Sequence, residues 1–150
     1  MPKRVILIAA VTVDGYIARH KLEVTNWSKD LQVFKEQTMG CPVIMGSNTH
    51  KTLSSELAGR ESIVVNRGDE PQVILNNISA KNCFIIGGGR TYLRFIKNLT
   101  HLYITPHPYI FGEGIHLFHG KNNTQLKLQF KKLVEIDSVN GIFQYQYKVK

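Results

Sequence analysis

Residues 83–96 read CFIIGGGRTYLRFI, and the architecture of the chain turns on them. A short apolar run, Cys83 to Ile86, meets three glycines and then resumes as a helical pattern. Glycine inside a packed element costs backbone entropy, so three in a row mark either a sharp turn or a close approach by another group. A strand–glycine–helix junction offers backbone N–H groups and a helix start to an anion. The spacing is not GxGxxG, and no acidic residue follows about twenty positions on, so the usual dinucleotide fingerprint is absent. Phosphate cradle and plain tight turn both stand at this point.

Outward from that junction, strands and helices alternate. RVILIAAV (4–11) reads as a buried strand, followed by a loop with Asp14-Gly15 that runs to about Trp27. Ser28 is placed to cap a helix over KDLQVFKEQTM, which Gly40 ends. PVIMG (42–46) is a short strand with a brief helix after it in NTHKTL. SIVVN (62–66) and QVIL (72–75) read as further strands around the turn RGDEP. After the glycines come the helix RTYLRFIKN, the strand HLYIT (101–105), and a loop with Pro106, Pro108, Gly112 and Gly114. Two C-terminal strands meet at SVNG (138–141), where Asn140-Gly141 signals a hairpin. This order predicts one α/β domain over 1–150: a twisted, mostly parallel central sheet, flanked by helices, with an antiparallel C-terminal edge hairpin. Ligands of such sheets sit at the carboxyl ends of strands, where Gly46 and Gly87–Gly89 fall.

Composition narrows the class. Hydrophobic residues make up 43% and charged residues 20%, as in a folded soluble chain. No apolar run reaches spanning length, so no membrane partner is expected. Cys41 and Cys83 lie in apolar runs and read as free buried thiols of a cytoplasmic protein. The net charge of +8 suits an anionic partner or simply a basic surface. Basic residues are spread along the chain, with no aromatic-and-basic array of the kind single-strand binders use, so nucleic acid is not expected. His101, His107, His116 and His119 enrich the later chain, yet nothing in their spacing fixes a metal geometry, and no metal site is expected.

The stretch NWSKDLQVFKEQTMGCPVIMGSNTHKTL (26–53), with LAGRESIVVNR (57–67), resembles the dihydrofolate reductases. That family carries D-L-x-x-F-K, then P-V-I-M-G-x-x-T, then L-x-G-R-x-x-I-V, and residues Asp30, Leu31, Phe34, Lys35, Thr38, Pro42 to Gly46, Thr49, Leu57, Gly59 and Arg60 fall on the pattern. LIAAVTVDGYI, IIGGGRTY (85–92) and LYIT (102–105) match its opening strand, its cofactor glycines and the strand that follows them. The resemblance runs from residue 4 to about 118 and implies a dihydrofolate reductase-like fold with NADPH as cofactor.

It also implies roles. Asp30 would be the acid that pairs with the pterin edge and promotes protonation; on its own it reads as an acid in the first turn of a helix. Thr105 would hydrogen-bond Asp30. Ile8, Ala9, Leu31, Phe34 and Leu57 would face the substrate, and Arg60 would clamp a carboxylate on its tail. Ala10, Ile17, Gly46, Ser47, Asn48, Thr49, Asn66, Arg67, Ile86, Gly87, Gly88, Gly89, Arg90, Thr91 and Tyr92 would line the cofactor, with a cis peptide at Gly87-Gly88.

Some residues depart from the pattern. The family's loop tryptophan falls on Thr25, with Trp27 two residues on. Its basic positions after Gly46 are Ser47 and Asn48, which leaves Asn66, Arg67 and Arg90 to meet a cofactor phosphate. TVDGYIA (12–18) and ITPHPYIFGEGIHLF (104–118) resemble riboflavin-pathway pyrimidine reductases, which share fold and cofactor. The expected activity is NADPH-dependent reduction of 7,8-dihydrofolate; the alternative is reduction of a ribosylaminopyrimidine phosphate or another pteridine-like substrate.

Overall fold

A computed structural model describes residues 1–150, the side chain of Ser54 excepted. Its nine strands and four helices run β1 (Arg4–Thr12), β2 (Tyr16–Ala18), α1 (Leu31–Thr38), β3 (Val43–Gly46), α2 (Ser47–Leu53), β4 (Ser62–Val65), α3 (Pro71–Asn76), β5 (Asn82–Gly87), α4 (Gly89–Arg94), β6 (His101–His107), β7 (Ile115–His116), β8 (Leu128–Asp137) and β9 (Ile142–Val149). Seven strands form one sheet in the order β4-β3-β5-β1-β6-β9-β8. β1, β3, β4, β5 and β6 pair in parallel, and β9 joins β6 antiparallel and carries β8 at the edge. The mostly parallel sheet with an antiparallel edge is as the sequence predicts.

Strand β1 shows why the centre of the sheet is apolar on both sides. Successive side chains point to opposite faces. Val5, Leu7, Ala9 and Val11 join a cluster with Leu75, Phe95 and Leu99, on the side of α3 and α4. Ile6 and Ile8 join Val43, Met45 and Leu57 on the other side, where Phe34 of α1 packs. Each such buried aliphatic contributes about 1.5–3 kcal/mol relative to exposure. Gln144, 1% exposed on β9, exchanges reciprocal amide hydrogen bonds with Gln37 of α1 at 2.7 and 2.9 Å, which leaves its buried amide satisfied.

Three sequence expectations are corrected here. Residues 72–75 are helical, inside α3, rather than a strand. A four-residue apolar run has no period to read, and Pro71 at the first turn is preset for a helix. The residue at the N-cap of α1 is Asp30 rather than Ser28, and it makes no side-chain cap. β6 continues past Thr105 through Pro106 to His107. Its pairing with β9 ends at Ile104, beyond which it bonds to β1 alone, and a proline is tolerated on such a free edge.

The stretch after β1, read as loop, contains β2, which pairs with β7 in a second, two-stranded sheet. Asp14 fastens the region: its carboxylate accepts from the Thr12 hydroxyl at 2.6 Å and from the Phe111 and Gly112 main-chain N–H groups at 3.2 and 2.8 Å. The Thr12 hydrogen bond, with these amides, holds its pKa below the ordinary 3.8. A lowered folded-state value means that the contribution is full above the unfolded value and is lost as pH falls through the folded one. Asp14→Asn therefore loses stability in urea melts at about pH 7, and the gap from wild type narrows progressively as the pH falls below the ordinary 3.8.

At the outer edge, β8 is exposed along most of its length, with Phe130 at 55% and Leu133 at 46%. Its register against β9 shifts between Phe130 and Lys132 and again between Glu135 and Asp137.

Candidate active site

The carboxyl ends of β1, β3 and β5 open into a cleft of about 870 Å³, within the range of roughly 300–1,000 Å³ usual for small-molecule sites. Its floor is Ile8, Ala9 and Ala10 of β1, Gly46 of β3, and Ile86 with Gly87–Gly89 after β5. Asp30, Leu31 and Phe34 of α1 form one wall. Ser47, Asn48 and Thr49 of α2, Asn66 and Arg67 after β4, and Arg90, Thr91 and Tyr92 of α4 form the other, with Ile17 of β2 across the mouth.

The three glycines now have a physical account. The Gly87-Gly88 peptide is cis, and Gly87 has φ +133°, a conformation that side chains rarely adopt. A Cβ on Gly89 would run into the His116 carbonyl oxygen and reach 2.7 Å from the His119 Cβ. The backbone thus passes between the cleft and β7 where no side chain fits. Arg90 stands in the opening turn of α4, whose first N–H groups have no partner within the helix. Tyr92, 3% exposed, donates its phenol to the Ile8 carbonyl at 2.6 Å and so ties α4 to the cleft floor. Burial, and then the Asp30 charge, push its pKa up, so this hydrogen bond persists across the working pH range.

Asp30 is 7% exposed at the start of α1 and brings a carboxylate to the cleft wall. Leu31, 40% exposed, and Phe34 present flat apolar surface beside it. Cations gather at the opposite end, where Arg67, Arg90 and Arg94 line the cleft with His119. Arg94 is already engaged, donating to the Asn66 carbonyl at 3.0 Å and to that of Asp69. Arg67 and Arg90 are exposed and, among the described residues, form no ion pair with an acid, so the end near α4 suits an anion while the end near α1 supplies an acid.

Three expected site residues stand outside the lining. Leu57 is buried at 4% beneath α1. Arg60 sits behind α1 and donates to the Lys35 carbonyl at 3.2 Å and to that of Glu56, so its fork is fixed by main chain. Thr105 is fully buried on β6, level with Ala10, and among the described residues its hydroxyl has no partner. The expected Thr105–Asp30 hydrogen bond is therefore not made. A link from β6 to the start of α1 runs instead from the Lys29 main-chain N–H to the His107 Nε2.

The sequence reading missed Lys21, Glu23, Thr25 and Ser28, which line the cleft from the loop before α1, and Ile115 and His119 from the far side. The loop's path depends on Trp27. That indole, 8% exposed, meets His107, Tyr109 and Phe111 edge-on at 5.3, 6.1 and 5.3 Å between ring centroids. An aromatic two residues past the family's own tryptophan position was the available signal.

With this geometry in hand, comparison with known proteins identifies the relatives. The family profile described as dihydrofolate reductase matches residues 4–147. A type 3 dihydrofolate reductase from Salmonella typhimurium is 31% identical over 111 residues, 66% of this chain and 68% of that protein. A dihydrofolate reductase from Buchnera aphidicola is 28% identical over 157 residues, covering 95% of this chain and 94% of its own. Among solved structures, an Enterococcus faecalis dihydrofolate reductase complexed with NADP(H) superposes with a TM-score of 0.77 at 19% identity, over 100% of this chain and 98% of that one. A Shewanella protein assigned to riboflavin biosynthesis superposes with a TM-score of 0.64 at 20% identity, over 98% and 99%. The chain belongs to the dihydrofolate reductase family.

Proposed function

We propose that this dihydrofolate reductase family member reduces 7,8-dihydrofolate to tetrahydrofolate, with NADPH as the hydride donor. The observation that carries the reading is the cleft holding a buried carboxylate, Asp30, on one wall and the glycine junction Gly87–Gly89 in its floor. The cleft fits the cofactor in its charge: Arg67 and Arg90, exposed at the end near α4, suit an anionic group. When bound, NADPH supplies a hydride to the carbon of the pteridine C=N bond, and the nitrogen takes a proton.

The chain's own residues do the rest. Asp30 grips the amidine-like edge of the pterin with two charge-assisted hydrogen bonds and promotes protonation of the ring. Leu31 and Phe34 hold the ring flat against the nicotinamide, with Ile8 and Ala9 beneath it. Ala10, Ile17, Gly46, Thr49, Ile86 and Tyr92 line the nicotinamide side, and Gly87–Gly89 with Thr91 let the cofactor lie close to the backbone. Ser47, Asn48, Asn66, Arg67 and Arg90 meet its phosphates and ribose, the two arginines supplying the charge. Arg60, with Leu57 near it outside the lining, would take the carboxylate of the substrate tail only by releasing the Lys35 and Glu56 carbonyls that its fork now holds. Thr105 supports the pocket from below. The work is placed in the cytoplasm, with no nucleic-acid or membrane partner; the free cysteines Cys41 and Cys83 support that placement, and no described helix is long and apolar enough to cross a membrane.

The segment 104–118 favours one second reading, reduction of a ribosylaminopyrimidine phosphate. The test is steady-state oxidation of NADPH, followed by absorbance, with each substrate in turn. Turnover with dihydrofolate is expected. Turnover with the pyrimidine alone replaces the first reading with the second, and NADPH that does not bind at all overturns both.

A further inference from the structure

We propose that His107 is the residue that positions Asp30, by accepting the main-chain N–H of Lys29. The inference rests on the role given to Asp30 above. His107 ends β6 and is 1% exposed. Its Nδ1 lies 2.8 Å from the Thr105 carbonyl oxygen. A carbonyl cannot donate, so Nδ1 carries the proton. Nε2 is then a bare acceptor, and it receives the Lys29 N–H at 3.0 Å. One neutral tautomer satisfies both contacts. A ring protonated on both nitrogens would set N–H against N–H.

Lys29 directly precedes Asp30, whose carbonyl accepts the Phe34 N–H at 2.8 Å as the first bond of α1. Asp30 occupies the N-cap of α1 with φ −104° and ψ 10°, and its carboxylate makes no capping hydrogen bond. A helix start that its own cap would ordinarily fix is here fixed from β6. The same imidazole meets the edge of Trp27, at 5.3 Å and 88°, and the Trp27 Nε1 donates to Glu23 at 3.2 Å. One ring therefore holds two of the three residues before Asp30 and, through Trp27, the loop that lines the cleft. The carboxylate is left free to face the substrate while its backbone is held still. Reaction geometry is sensitive enough for this to matter: a misplacement of about 1 Å can cost roughly 10²-fold in rate.

The test compares two substitutions in the intact enzyme. His107→Leu fills the buried space with apolar atoms and removes the acceptor. His107→Gln puts an amide oxygen near the place of Nε2. The leucine variant is expected to lower kcat with dihydrofolate by roughly 10- to 100-fold, while NADPH affinity from fluorescence titration stays within about twofold. The glutamine variant is expected to recover most of the lost rate. In nitrogen-15 spectra of the wild type, His107 should carry its proton on Nδ1.

A leucine variant within about twofold of the wild-type rate overturns the proposal. So does equal loss in both variants, a parallel fall in NADPH affinity, or a proton found on Nε2. If the leucine variant does not fold, the glutamine variant and the wild-type spectrum decide. Wild type and Asp30→Asn are run alongside. A wild type without dihydrofolate turnover marks failure of the functional reading itself, whereas turnover lost in Asp30→Asn but kept in His107→Leu sinks this inference alone.

Discussion

Asp30→Asn is expected to lower dihydrofolate-dependent oxidation of NADPH by roughly 10²- to 10⁴-fold, the range typical for loss of a positioned acid–base group. Asparagine matches the shape of aspartate, so the start of α1 should keep its path and its hydrogen bond from Phe34 to the residue 30 carbonyl, 2.8 Å in the wild type. What disappears is the charge that pairs with the pterin edge. The cofactor side of the cleft lies on α2, α4 and the glycine junction, so NADPH affinity should hold. Steady-state kinetics and fluorescence titration on the same preparation separate the two effects. A variant that keeps its rate would remove Asp30 from the chemistry, and a variant that loses NADPH binding would make its role structural.

Gly89→Ala carries the largest expected effect on the folded state. The added methyl would collide with a main-chain carbonyl, that of His116, as well as with the His119 Cβ at 2.7 Å and the Ile115 side chain at 3.2 Å. Backbone cannot swing aside as a flexible side chain can, so either the junction after β5 or the β7 segment must shift. Overpacking of this kind costs about 1–3 kcal/mol and sometimes more. At the upper end of that range, a chain of this size loses roughly 6–12 °C in Tm. Because the same residue opens α4 at the cleft, NADPH affinity should fall with stability. Calorimetry with and without NADPH checks both; an unchanged Tm would mean that the segment around His116 is far more yielding than its packing implies.

Much of this was open to reading in the sequence because it is local. A run such as RVILIAAV can only be buried on both faces, and three glycines between strand and helix restrict what can stand beside them. The motif around Asp30, Phe34 and Gly46 related helix to strand, since Asp30 and Phe34 stand one turn apart at the start of α1 and Gly46 ends the strand that follows. The readings that failed depend on context. QVIL is as compatible with a strand as with about one turn of helix until Pro71 is weighed at its start. The hydroxyl of Thr105 and the carboxylate of Asp30 are both buried, yet whether they touch depends on how far β6 holds α1 away. His107 could not have been singled out: its partner is a backbone N–H 78 residues distant, and no side-chain pattern records such a bond. Trp27 was visible, but its burial comes from Tyr109 and Phe111, which arrive from the far end of the chain.

The outer strand of the sheet has a consequence for how the protein behaves in a crowded solution. A strand with a free side offers unpaired N–H and C=O groups to any other extended chain, and β8 does so with Phe130 and Leu133 exposed. The break in its register at Phe130/Lys132 interrupts the regular ladder that an incoming strand would copy, and Lys131 and Lys132 lie at that break. An approaching copy of the same strand would bring its own pair of lysines toward these, and like charges at close range repel. The irregularity and the lysines together work against fibre-like stacking at this edge of the sheet.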